Sequence, residues 1–244
     1  MGQLASDERP APARSTGTSR RERAWRIGAV LLTTLFCCLG CDPAQMLNMM
    51  LTPFADFCQD PECPLTVKDK ESSVVIIATH DDIEDGAAFR GANDVVTRRL
   101  IALLENRYKE HKDKVKIVPF TKVQAYLNKN PDWVTKSKRE IGKHFKADYV
   151  VFLEMGPMSL NEKGSNGTLF RGTVEINISV IDVNQDEGEG AKFEKAYACT
   201  YPLSGAKSSM DVPAATFRGE FLEHIAKDLA VEFAPYETRN KVED

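Results

Sequence analysis

Between Leu169 and Val183 the chain reads LFRGTVEINISVIDV, with polar and apolar residues alternating from Thr173 to Val180. Val174, Ile176, Ile178 and Val180 fall on one side of an extended backbone, and Thr173, Glu175, Asn177 and Ser179 on the other. A helix would scatter both sets around its axis. Only a strand with one face in a core and the other in water makes use of them. The stretch therefore calls for a sheet with at least one covered side.

The other segments fit around that strand. SSVVIIATH (Ser72–His80) is a short, β-branched apolar run and reads as a buried central strand. From Asn93, placed as an N-cap, Val96, Leu100, Leu103, Leu104 and Tyr108 recur at helical spacing, with Arg98, Arg99, Glu105 and Lys109 outward. Lys114–Phe120 is a second strand stopped by Pro119. A short helix follows in TKVQAYLNKN. One longer helix is expected in PDWVTKSKREIGKHF, with Trp133, Ile141 and Phe145 on its buried face. Ala147–Leu160 is a third strand, bent near Gly156-Pro157, and Asn166-Gly167 is a hairpin signal. Ala191–Leu203 is a fifth strand. Pro213–Tyr236 is a final helix with Phe217, Phe221, Ile225, Leu229 and Phe233 on one stripe. The order β-α-β-α-β-β-β-α predicts an α/β (α+β) fold, a mixed sheet of about five strands with helices packed on it. The first three strands are expected to be parallel through right-handed crossovers and the last three antiparallel. Residues 73–236, about 165 in all, suffice for a single domain with its own core.

Upstream lies a different kind of segment. Ile27–Gly40 is uncharged over 14 residues. As a helix it would reach about 21 Å, short of the roughly 30 Å of a bilayer's hydrocarbon. The basic flank RRERAWR before it and the small residues at its end fit a signal peptide better than a membrane span or a core helix. The run closes on CLGC, Cys38–Cys41, which resembles the bacterial lipobox. Gly40 and Cys41 match it; Leu39 is bulky for its place and Cys38 stands where Leu is usual. That resemblance implies removal of residues 1–40 (a disordered region 1–26 and the apolar run 27–40) and lipidation of Cys41, with two acyl chains on its thioether and often a third on the new amine. Two chains hold a protein to a bilayer firmly, where one holds it marginally. Asp42 resembles the signal that keeps some lipoproteins in the inner membrane, so inner against outer membrane stays open. SRRERAW (Ser19–Trp25) loosely resembles a twin-arginine export motif, with Arg23 and Ala24 where apolar residues belong.

Residues 41–72 are expected to tether the anchor to the body, and 237–244 to form a tail. Beyond the signal, only Cys58, Cys63 and Cys199 remain, in a compartment that permits disulfides. Cys58 with Cys63 would close a small loop, and either can also reach Cys199; the odd cysteine would be buried and inert.

The segment REIGKHFKADYVVFLEM (Arg139–Met155), a helix leading into Ala147-Asp148-Tyr149 at the head of a strand, is similar to the amino-terminal domain of TolB and to CsgG-like envelope lipoproteins. VEINISVIDVNQDEGE (Val174–Glu189) continues the likeness. The resemblance implies an anticodon-binding-like α/β fold and a structural or assembly role. It brings no catalytic residue with it.

Candidate chemistry is sparse. HDDIED (His80–Asp85) follows a buried strand, at the end where α/β sheets place ligands. His80 and Asp82 are candidate metal ligands, and His80, Asp81 and Asp82 candidate acid–base groups; the plain alternative is a solvated acidic loop. Glu154 sits in an apolar run, either facing solvent or buried with a raised pKa. Asp148 reads as a cap on its strand's entry. Lys136, Arg139, Lys143 and Lys146 form a basic helix face, suited to anionic headgroups or simply solvated. No phosphate loop, Gly-x-Ser-x-Gly or His-Glu-x-x-His motif occurs, and no cofactor is implied. Six Arg against Asp7, Glu8 and Glu22 give residues 1–40 about three positive charges, so a chain of formal charge −4 carries about −7 beyond them. That acidity argues against nucleic acid as a partner. The expectation is a lipid-anchored protein facing the periplasm, non-enzymatic, joined to an envelope protein partner. A metal-dependent hydrolase centred on His80, Asp81 and Asp82, and a periplasmic small-ligand binder, are the alternatives.

Overall fold

A computed structural model describes residues 58–67, 70–80, 86–186 and 190–237, all within the unit 56–244. Residues 1–40, Cys41, Asp42 and the chain to 57 lie outside the described residues, as do Asp81, Asp82 and the tail from 238.

The alternating stretch is strand β5 (Leu169–Asp182), with Val174, Ile176, Ile178 and Val180 buried and Thr173, Glu175 and Asn177 exposed. Among the described residues five strands form the main path of a six-stranded sheet: β2 (Ser72–His80), β3 (Val115–Ile117), β4 (Tyr149–Asn161), β5 and β6 (Phe193–Tyr201), in the spatial order β3-β2-β4-β5-β6. β2 pairs in parallel with β3 (Ser72 opposite Val115) and with β4 (Val74 opposite Tyr149). β4–β5 and β5–β6 are antiparallel. This is the mixed sheet expected. Two-residue β7 (Lys207–Ser208) extends β5's edge, and β1 (Cys58–Gln59) pairs with β8 (Tyr236–Glu237). Such short pairings carry no periodicity and could not be foreseen.

Among the described residues four helices pack on the sheet: α1 (Ala92–His111), α2 (Phe120–Lys129), α3 (Lys138–Phe145) and α4 (Ala214–Phe233). One face of the sheet meets α1 and α4. There Ile76 joins Leu153, Ile178, Leu100, Phe217, Phe221 and Ile225 in one core. The opposite face of β2 and β4 meets α2 and α3 through Val75, Ile77, Val150, Phe152, Val123 and Ile141. The second layer reaches only the Ser179–Ile181 end of β5, and the outer faces of β5 and β6 keep Glu175, Asn177, Glu194, Ala196 and Ala198 exposed.

Several local expectations change. Asn93 is not the cap of α1. Gly91, at φ 69°, holds that position, and the Asn93 amide instead donates to the Ala78 carbonyl at 3.2 Å. The helix expected over 131–145 divides into a 3₁₀ turn (Pro131–Thr135) and α3. Ser137 is extended and accepts from the Glu140 N–H while Glu140 accepts from the Ser137 N–H, a capping box that starts a new helix. The basic face is broken up: Arg139 turns inward, donating to the Asp186 carbonyl at 2.8 Å, and Lys136 pairs with Asp132 at 3.1 Å. The packed body also reaches upstream of 73. Cys63 and Leu65 are in the core, the Ser72 hydroxyl donates to the Leu65 carbonyl, and the Cys63 N–H donates to the Glu232 carbonyl.

Other features agree with the sequence pattern. β4 shifts register between Met155 and Met158, around Gly156-Pro157. Asn166 and Gly167 take φ of 50° and 78° in the turn to β5, the left-handed pair that a tight hairpin needs. Asp148 caps the strand entry: its carboxylate accepts from the Ser73 N–H at 2.8 Å and the Asn184 amide at 3.1 Å.

Candidate functional site

β6 is the edge of the sheet, and α4 lies along it. Residues Lys195, Tyr197, Cys199 and Tyr201 share one face of β6, spaced about 6.8 Å apart for each step of two. Glu220, His224, Asp228 and Glu232 share one stripe of α4, about 6 Å apart for each step of four. The two spacings nearly match and the rows run in opposite directions, so they meet side chain to side chain.

At one end Lys195 Nζ lies 2.8 Å from Glu232 Oε1 and 3.0 Å from Glu62 Oε2. In the middle the Tyr197 hydroxyl donates to Asp228 Oδ2 at 2.5 Å, and His224 Nε2 lies 3.6 Å from the same oxygen. The Cys199 thiol completes this group: one donor atom each from Cys199, His224 and Asp228 lie within 4.8 Å of one another. The Tyr201 ring rests on His224 at 4.9 Å between centroids. At the far end Lys207 Nζ donates to Glu220 Oε2 at 2.8 Å and to the Tyr201 hydroxyl at 3.2 Å.

A cysteine, a histidine and an aspartate in contact invite comparison with a nucleophilic triad. The electrostatics oppose it. Burial pushes the Cys199 thiol up to about 11; the Tyr197 hydrogen bond works against that, and the Asp228 charge adds to it. An activated thiol is shifted the other way. Burial, with Cys199 and Asp228 close by, also holds the Tyr197 phenol well above its usual range. The seam suits holding, by hydrogen bonds or by a shared ion, better than attack.

The residues singled out in the sequence are not gathered into one place. His80 ends β2, half-buried, opposite Met155, while Glu154 is exposed and paired with Thr79 and Asn177. Alternation along the strands puts His80 and Glu154 on opposite faces of the sheet. Glu154 faces the open side, beside Asn177, Ser179 and Lys138. Cys58 is exposed, with Sγ 4.0 Å from His111 Nδ1; Cys63 and Cys199 are buried, and all three are separate thiols. Among the described residues no helix is long and apolar enough to cross a membrane. Sequence reasoning weighs Cys199 as a disulfide partner or a buried, inert cysteine, finds its spacing from Cys58 and Cys63 a poor pattern for zinc, and misses His224 and Asp228. The available signal is the four-residue polar stripe on α4 behind its phenylalanine stripe.

No protein-family model matches the chain, and no curated protein matches it. Some solved structures are similar. Protein XCC0632 from Xanthomonas campestris is 11% identical, with a TM-score of 0.42, over 70% of this chain and 86% of that one. Lipoprotein GNA1162 from Neisseria meningitidis is 11% identical, with a TM-score of 0.40, over 65% of this chain and 98% of that one. The LpoB C-terminal domain from Escherichia coli is 12% identical, with a TM-score of 0.30, over 53% and 82%. Likeness at these scores is too distant to bear on what this chain does.

Proposed function

We propose that the chain is an exported protein of the bacterial cell envelope, held to a membrane by lipid on Cys41, whose α/β body is a non-enzymatic assembly part. The observation that carries this reading is the uncharged run Ile27–Gly40, behind a basic flank and ending in CLGC. The body would face the periplasm, and Asp42 favours the inner membrane. Its assembly role is supported by the β6 edge, where no strand lies beyond β6 among the described residues. Lys192, Glu194 and Lys195 place charge at one end of that edge, a common guard against indiscriminate pairing. Strand addition pairs backbone groups along such an edge, and exposed Ala196 and Ala198 leave room on the outer face of β6 for the side chains of an added strand.

Mass spectrometry of the native protein tests the anchor. The expected result is a chain beginning at Cys41 with acyl mass added, and membrane fractionation should show Cys41→Ser released to the soluble fraction. An unmodified Cys41 with residues 1–40 still attached overturns the reading. A photo-crosslinker at Ala198 should capture one protein reproducibly from intact membranes, and the same probe at exposed Val134 should not.

A further inference from the structure

We infer that Cys199, His224 and Asp228 form a binding site for a divalent transition metal of the zinc class, joining edge strand β6 to helix α4. Thiolate, imidazole and carboxylate are the donors that zinc takes. They come from two elements already packed together: Cys199 from β6, and His224 and Asp228 one turn apart on α4. Zinc bonds of about 2.0–2.3 Å set tetrahedral ligand atoms roughly 3.3–3.8 Å apart. His224 Nε2 and Asp228 Oδ2 stand at 3.6 Å, within that span. All three donor atoms fall within 4.8 Å of one another, little wider than an ion requires.

The surroundings support the assignment. The Tyr197 hydroxyl donates to Asp228 Oδ2, the oxygen that faces His224 Nε2, and so orients the carboxylate, and the Tyr201 ring packs against His224. Such outer groups orient metal ligands and sharpen affinity. On binding, the Cys199 proton leaves to solvent and the thiolate sulfur bonds the metal. Thiolate and carboxylate together cancel the two positive charges, so the metal-bound site itself carries no net charge. Three protein ligands leave a fourth position, on the side where Asp228 is 36% and His224 13% exposed, and water fills it. The ion would clamp α4 to the sheet edge. This inference does not depend on the lipid anchor.

Cobalt(II) added to the full chain in detergent provides the test, with zinc measured by competition. The expected result is one equivalent of cobalt with a thiolate-to-metal charge-transfer band and the visible bands of four-coordination. Cys199→Ser should lose the charge-transfer band although Cys58 and Cys63 remain. His224→Gln and Asp228→Asn, at partly exposed positions, should each weaken zinc binding by at least about tenfold, and Tyr197→Phe by about 10- to 100-fold. Zinc should raise the melting temperature of the wild type and, at the same zinc concentration, raise that of His224→Gln less. No charge-transfer band at stoichiometric cobalt, or a band undiminished in both His224→Gln and Asp228→Asn, overturns the site.

Discussion

Gly172 shows what one missing methyl group allows. A Cβ there would lie 2.5 Å from the Phe221 ring, which is fully buried and packs edge-on against Phe89 at 6.5 Å. A methyl group there forces the buried ring to shift. Gly172→Ala should therefore cost about 1–3 kcal/mol, measured as a lower urea midpoint. Asp148 works differently, through two hydrogen bonds. Removing its carboxylate leaves the Ser73 N–H without its acceptor between two strands. Asp148→Ala should cost about 1–3 kcal/mol, and Asp148→Asn less, since the amide oxygen still accepts. The role of Asp148 could be read from its place before an apolar strand. That of Gly172 could not, because Phe221 reaches it only after α4 has docked.

At the scale of elements, the split between the Pro131–Thr135 turn and α3 rests on Ser137. The sequence SKRE carries the capping-box signature, but the helical spacing of Trp133, Ile141 and Phe145 suggests one continuous helix across it. The local hydrogen bonds prevail because they satisfy end N–H groups that an uninterrupted helix would have to pair otherwise. Ser137→Ala should lower stability by about 1 kcal/mol and Ser137→Gly by only a few tenths, read in urea unfolding. α4 needed no such correction. Its buried stripe of Phe217, Phe221, Ile225, Leu229 and Phe233 is the expected one, each side chain contributing about 1.5–3 kcal/mol on burial. Arg99 adds a polar tie from α1, donating to the Gly219 carbonyl at 2.6 Å and pairing with Glu223 at 3.1 Å.

The whole molecule should lose stability in alkali. Burial raises the Tyr108 phenol, whose hydroxyl donates to the Phe233 carbonyl at 3.0 Å, and the Glu220 hydrogen bond raises Lys207. In both groups the folded pKa lies above the unfolded one, so their contribution is complete below the unfolded values, about 10 for Tyr and 10.4 for Lys, and fades as pH climbs through the folded ones. Urea midpoints should be flat with respect to these groups from neutrality to about pH 9.5 and fall beyond it. Tyrosinate absorbance should show Tyr108 and Tyr197 ionising only as the chain unfolds, and Tyr108→Phe should reduce that late step by one tyrosine. By itself the sequence determined the order of strands and helices, the alternation of β5 and the apolar stripe of α4, because each is a periodicity written in neighbouring residues. Only the tertiary structure decided that Glu154 looks outward, that His80 and Glu154 part to opposite faces, and that Cys199 meets His224 and Asp228. Those outcomes depend on which layer covers which half of the sheet and on the register in which a helix lies along an edge strand, and no local run of residues records either.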